Sequence, residues 1–315
     1  MQRIFEGDIR TVARTLTQVE NSPGDDVTEL LRKLFSRAGQ AFVIGVTGSP
    51  GSGKSTLVNH LACHYRDSGS KVGIVLVDPT SPFSGGAILG DRIRMQSLYT
   101  DPRVFIRSMA SRGKMGGLAR AVDESLIVLG AAGYGTLIVE TVGVGQDEVE
   151  IVKTAHMTLV VLVPGMGDDI QMLKAGLMEI GDIFVLNKAD RDEVLTTERE
   201  LEVLLSMTSR EDGWKPPIVK TVATQGEGIG KLTDAIEQYR ARLGEPPGVK
   251  GRELPLFRER LVEKLRDHLT RKVLERIPEE KLDWYAEKLM TREMDPYTIM
   301  DCLLRKLDGQ EETYD

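Results

Sequence analysis

The chain has 315 residues and a formal charge of −7, from 41 basic and 48 acidic side chains. Its 41% hydrophobic content is enough for a core of ordinary size without covalent staples, while the acidic balance argues against a nucleic-acid surface. Two cysteines, Cys63 and Cys302, are too few for a disulfide framework or a Cys-based zinc site, and no apolar run is long enough to span a bilayer.

The opening Met1-Gln-Arg-Ile-Phe-Glu6 lacks the apolar stretch of a signal peptide, so a reduced, cytoplasmic protein is expected. Residues 1–39 read as a helical extension of two short helices. Asp8 can cap the first, in which Ile9, Val12, Ala13, Leu16 and Val19 recur at helical spacing; Val27, Leu30, Leu31 and Leu34 mark the second, which stops at Gly39. Residues 40–243 alternate apolar runs with helical segments. The runs are 41–47, 72–77, 104–106, 136–140, 158–163, 183–187 and 218–222. Most are continuously apolar, as strands buried on both faces must be. Their βαβα order predicts a three-layer, doubly wound, mostly parallel α/β domain, with ligands beyond the carboxyl ends of the strands. Gly48, Asp78, Glu140, Pro164 and Asn187 all fall at those ends. Residues 244–315 begin with a Glu245-Pro-Pro-Gly linker and read as a C-terminal helical extension. Phe257, Leu261, Leu265, Leu269 and Val273 stripe one helix that Pro278 breaks; Asp295 and Pro296 start another, carrying Ile299, Met300, Leu303 and Leu307.

Three motifs carry chemistry. Gly48, Ser49, Pro50, Gly51, Ser52, Gly53, Lys54 and Ser55, with Thr56 following, match the phosphate-binding G-x-x-x-x-G-K-[ST] pattern between a buried strand and a helix. Glycines there let backbone N–H groups face phosphate oxygens, and the helix adds its positive end. Lys54 would bridge the β- and γ-phosphates, and Ser55 would ligate Mg²⁺. Asn187-Lys188-Ala189-Asp190 ends the run 183–187. A carboxylate at Asp190 can accept two hydrogen bonds from guanine, which adenine cannot supply, and the Lys188 stem would cover the base. Glu140-Thr-Val-Gly143-Val144-Gly145-Gln146 supplies an acid for the Mg²⁺ region and, at Gly143, an N–H for the γ-phosphate. Small GTPases place a water-orienting Gln after the corresponding glycine; Val144 stands here, so slow intrinsic hydrolysis is expected.

Other polar residues are less decisive. Asp78 and Asp91 are further Mg²⁺ candidates, each also readable as a turn or cap aspartate. Of Arg92, Arg94 and Arg112, Arg94 is the best candidate to reach a phosphate. His60, Cys63 and His64 share a helix face, but packing explains them better than a metal site.

At these motifs the sequence resembles the MeaB/ArgK-type GTPases, the G-protein chaperones of methylmalonyl-CoA mutase and related adenosylcobalamin-dependent acyl-CoA mutases. The resemblance spans nearly the whole chain. It includes Glu6-Gly-Asp-Ile-Arg10, Val77-Asp-Pro-Thr-Ser-Pro82, Gly90-Asp-Arg-Ile-Arg-Met95, Ile106-Arg-Ser-Met-Ala-Ser-Arg-Gly113, Gly116-Gly-Leu-Ala-Arg120, the Glu140 motif, Pro164-Gly-Met-Gly-Asp168-Asp-Ile-Gln171 and Asp295-Pro-Tyr297. It implies a fold of the signal-recognition-particle-like class and a homodimer to which the C-terminal helices contribute. It also implies nucleotide-responsive loops near 78–95 and 141–150, and a third near 164–175, matched by Asp168 and Lys174, that communicates with the mutase. The implied task is gating cofactor delivery to that enzyme and protecting it, with GTP/GDP and Mg²⁺ as ligands and with neither nucleic acid nor membrane as partner. Val222-Ala223-Thr224 replaces the family's usual Ser-Ala-x base-contact loop, so Val222 would reach guanine through its backbone alone. Three alternatives stay open: a nickel-type metal-insertion GTPase, which would call for Cys/His clusters; an ATP-dependent small-molecule kinase, opposed by the Asn187–Asp190 motif; and a structural dimer that binds nucleotide without turnover.

Overall fold

The computed structural model describes residues 1–21, 25–39, 41–78, 95, 98–110, 117–141, 154–165, 178–207, 210, 213–244 and 253–307. They form two compact units, Met1–Gly248 and Val249–Asp315. In chain order the first contains α1 (Gln2–Phe5), α2 (Ile9–Asn21), α3 (Asp25–Ala38), β1 (Phe42–Gly48), α4 (Lys54–Asp67), β2 (Val72–Asp78), β3 (Val104–Ala110), α5 (Gly117–Ala131), β4 (Thr136–Thr141), β5 (Met157–Leu162), α6 (Met178–Ile180), β6 (Ile183–Asn187), α7 (Val194–Met207), β7 (Ile218–Thr221) and α8 (Ile229–Leu243).

The seven strands form one sheet in the order β3-β2-β4-β1-β5-β6-β7, and every pairing is parallel. Parallel neighbours cannot be joined by tight turns, so crossovers cover both faces. That is why every residue of β1, β4, β5 and β6 is buried and why these runs read as unbroken apolar stretches. On one face Phe42, Ile44 and Val46 meet Leu57, Val58 and Leu61 of α4 and Leu232, Ile236 and Tyr239 of α8. On the other, Val43, Val75, Leu137 and Val139 meet Val12, Leu16 and Val19 of α2, Leu34 of α3 and Leu129 of α5. Farther along, Val160, Leu162, Phe184 and Leu186 pack on Leu201 of α7.

In the first unit two details differ from the sequence reading. The run 104–106 continues as β3 to Ala110 through the polar pair Arg107 and Ser108. β3 is an edge strand, and Arg107 there is ion-paired to Glu20 on α2, which lets a cation sit in a strand without burial in a core. An additional short helix, α1, precedes the two anticipated ones and buries Ile4.

The amino end of β6 is anchored by Asp182, which is 4% exposed. Its carboxylate accepts from Thr158 N (2.9 Å), Arg210 Nη2 (2.7 Å) and Tyr239 Oη (2.9 Å), while Trp214 Nε1 donates to its carbonyl at 2.8 Å. A buried charge with this many partners is satisfied, and removing it takes one acceptor from three donors at once.

The second unit contains α9 (Glu253–Leu274), α10 (Glu279–Met290) and α11 (Pro296–Leu307). Pro278 ends one helix and caps the next: α10, unread in the sequence, starts directly after it with Glu279 and Glu280 in its first turn. Asp295 caps α11 through Tyr297 N (2.9 Å) and Thr298 N (3.0 Å). On α9, Leu261, Leu265 and Leu269 are all more than half exposed, at 68%, 54% and 53%.

Asp182→Ala is expected to cost about 3–5 kcal/mol in urea unfolding, because it removes the buried carboxylate shared by Thr158, Arg210 and Tyr239. Lys33→Ala, at an exposed pair with Glu29, should cost less than about 0.5 kcal/mol. Equal losses would contradict the network described.

Candidate nucleotide site

The parallel sheet gathers the carboxyl ends of its strands on one edge, and the register fixes what meets there. Gly48 pairs with Val161, Val46 with Glu140, Asp78 with Ala110, and Asn187 with Thr221. β1 leaves the sheet at Gly48 with φ 140°, where an added Cβ would lie 2.0 Å from the Val161 carbonyl oxygen. Only glycine fits that crossing. Gly53, with φ 93°, precedes α4, and a Cβ there would lie 2.4 Å from Asn187 Nδ2. The loop between them is therefore wedged against β5 on one side and β6 on the other.

Lys54 opens α4 and is 5% exposed. Its ammonium donates to the carbonyls of Gly48 (2.8 Å) and Ser49 (2.9 Å), which holds it inside the loop's concavity. Ser55 Oγ donates to Glu140 Oε1 at 2.6 Å, and Glu140 is only 6% exposed. A hydroxyl and a buried carboxylate in contact are hard oxygen donors suited to Mg²⁺, which takes few protein ligands and completes its shell with phosphate and water. Among the described residues no group of three or more His, Cys, Asp or Glu side chains could hold a metal ion, so neither His60, Cys63 and His64 nor any other such cluster offers a soft-metal centre.

On the other side, Asn187 is 2% exposed and fully used. Its Nδ2 donates to Ser52 O (2.7 Å); its Oδ1 accepts from Ala223 N (3.0 Å) and Thr221 Oγ1 (3.1 Å). Lys188 adopts a left-handed φ of 56° and sends Nζ to Gly51 O at 2.8 Å. Sequence reasoning placed both residues in the base motif but missed that they bind the phosphate loop. Thr221 carried no signal beyond ending a strand. Ala189 N donates to Thr221 O, and Asp190 stands exposed beyond that clamp. Both backbone polar groups of Val222 are engaged within its own turn, with Glu227 O and Gln225 N, leaving Thr224 as the exposed member of the segment Val222–Thr224.

The structure thus brings together Gly48, Ser49, Pro50, Gly51, Ser52, Gly53, Lys54, Ser55 and Thr56 with Glu140, Asn187, Lys188, Asp190, Val222, Ala223 and Thr224 along one edge. Asp78 ends β2 on that edge. Asp91, Arg92, Arg94, Arg112, Gly143, Val144, Asp168 and Lys174 lie outside the described residues.

The sequence model of the family described as methylmalonyl-CoA mutase-associated GTPase MeaB matches residues 12–281. The chain belongs to the MeaB family. A Pyrococcus abyssi protein whose name describes a GTPase is 45% identical over 98% of this chain and 96% of its own length. The GTPase ArgK of Escherichia coli K12 is 35% identical over 87% and 84%. A crystal structure of an LAO/AO transport system kinase superposes with a TM-score of 0.71 at 28% identity, covering 98% of this chain and 96% of that one. As a MeaB-family GTPase the protein binds guanine nucleotide and hydrolyses GTP.

Asn187→Ala should lower stability in the absence of nucleotide by roughly 2–5 kcal/mol, since Ser52 O and Ala223 N lose buried partners. Nucleotide affinity should fall with it. Urea unfolding and fluorescent-GDP titration check the two separately; lost affinity at unchanged stability would mean that Asn187 is no strut between the loops.

Proposed function

We propose that this MeaB-family GTPase is a chaperone that gates cofactor delivery to, and protects, an adenosylcobalamin-dependent acyl-CoA mutase, methylmalonyl-CoA mutase first among them. The family match over residues 12–281 carries the reading. A second support is a Caenorhabditis elegans relative named methylmalonic aciduria type A homolog, mitochondrial, which is 34% identical over 68% of this chain and 55% of its own length.

In this reading the loop Gly48–Thr56 holds the phosphates, and Lys54 leaves its two carbonyl partners to bridge the β- and γ-oxygens. Ser55, Glu140, Asp78 and Asp91 would hold Mg²⁺, which when bound neutralises charge on those oxygens. Gly143 N–H would sense the γ-phosphate. Asn187 and Lys188 brace the site, Asp190 reads guanine, and the segment Val222–Thr224 closes over the base. Val144 orients no water, so the unassisted rate is slow. Arg94 would reach a phosphate, and the loop carrying Asp168 and Lys174 would communicate with the mutase.

The protein works in the cytoplasm as a homodimer. Residues 1–39 are an N-terminal helical extension, residues 40–243 the P-loop GTPase domain, and residues 244–315 a helical extension that associates through the exposed leucines of α9, whose burial against a second copy removes apolar surface from water.

The test is GTP hydrolysis by the purified protein alone and with an adenosylcobalamin-dependent mutase of the same organism. A basal rate on the order of 10⁻⁴–10⁻² s⁻¹ is expected from comparable unassisted sites. It should rise severalfold with the mutase and vanish in Lys54→Ala. An unchanged rate, with no complex on gel filtration, would sink the client while leaving the GTPase standing.

A further inference from the structure

The Glu6-Gly-Asp-Ile-Arg10 segment has no part in the nucleotide site, and the structure puts it at the opposite end of the sheet. Gly7 lies where a Cβ would sit 3.0 Å from Lys71 Nζ and 3.2 Å from Ala132 O, next to the amino ends of β2 and β4. There α1 and the start of α2 enclose a cleft of about 560 Å³ lined by Arg3, Glu6, Asp8, Arg10, Thr11 and Arg14.

Every residue lining it is polar or charged, with three arginines against two carboxylates. Asp8 is already committed: its carboxylate caps α2 by accepting from Thr11 Oγ1 and, at 2.8 Å, from Thr11 N. None of Arg3, Arg10 and Arg14 forms an ion pair among the described residues. Arg10 also sits in the first turn of a 13-residue helix that has no acidic residue there. A cation at that position opposes the positive end of the helix dipole. The local arrangement thus accumulates positive charge on a chain whose net charge is −7.

Three guanidinium forks outnumber the carboxylates of Glu6 and Asp8 around one cleft, Arg3 and Arg10 interacting only weakly with Asp8, and such forks select carboxylates or phosphates. The setting favours a protein's carboxylates. Small-ligand sites bury most of their ligand against apolar walls, and here no apolar side chain lines the cleft while every lining residue except Thr11 is exposed. Hydrated, exposed arginines gain little from one small anion, but several carboxylates on one segment add up and steer its approach. We propose that the cleft between α1 and α2 docks an acidic segment of a partner protein, at a surface distinct from the nucleotide edge.

The test uses the full-length, GDP-loaded protein and a fluorescein-labelled glutamate-rich peptide as probe, read by anisotropy. Binding should be saturable and should weaken as ionic strength rises. Arg10→Glu with Arg14→Glu should weaken it about tenfold or more, since two attractions become repulsions. GTP hydrolysis by that variant should be unchanged, because the cleft lies away from the nucleotide edge. If the double reversal misfolds, Arg10→Gln with Arg14→Gln takes its place, with a severalfold loss expected. No binding to the unaltered chain, or equal binding by the variants, overturns the proposal. So does displacement of the peptide by inorganic pyrophosphate at concentrations far below the peptide's own Kd, since the ligand would then be a free oxyanion. The probe is independent of the mutase, so failure of the client assignment and failure of this site are read separately.

Discussion

One buried amide holds the nucleotide edge together. Asn187 donates to the phosphate loop at Ser52 O and accepts from Ala223 N and Thr221 Oγ1, so that both ends of its carboxamide are satisfied. A carboxylate could not do both jobs because it only accepts, whereas the amide puts a donor and an acceptor on one short, rigid plane. Gly53 is glycine because that amide comes so close, and Lys188 repeats the tie at Gly51 O from the next position. The phosphate loop and the base loop are therefore tied directly to each other through side chains of the base motif.

The opposite end of the sheet is secured differently. Asp182 collects Thr158, Arg210 and Tyr239 from three separate segments and fixes β6 against β5 and α8. Asn187, at the carboxyl end of the same short strand, inherits that position. A five-residue strand locked at both ends is a stiff lever arm, and the base motif is mounted on its tip.

Much of this was legible from residue order. Continuous valine and isoleucine runs marked the buried strands because both faces of a parallel sheet are covered, and the Gly48–Ser55 motif announced its own strand-to-helix context. Asp295 was readable as a cap because capping is local. What stayed hidden depended on non-local partners. The later half of β3 lay beyond the apolar run 104–106 because Arg107 is polar, and the neighbouring α2 explains it through Glu20. α10 was masked by Pro278, which can as well start a helix as stop one. The roles of Asn187 and Asp182 as struts could not be inferred, since their partners lie in other elements that only the fold brings near. The buried strands were clear; the identity of what each polar side chain would touch was not.

The strand order also bears on how the chain is made. β1, which launches the phosphate loop, is central, yet its two neighbours are β4 and β5, and Asn187 and Ala223 follow later still. During synthesis from the amino end the motif at 48–55 is complete long before anything can brace it. Likewise α2 and α3 wait for α5 to cover their apolar faces. A nascent chain cut off before residue 223 would carry the phosphate-binding sequence without its scaffold. Such pairing between distant segments folds slowly and exposes apolar strands meanwhile. Competence to hold nucleotide thus arrives late in translation, almost at the moment the first unit is finished.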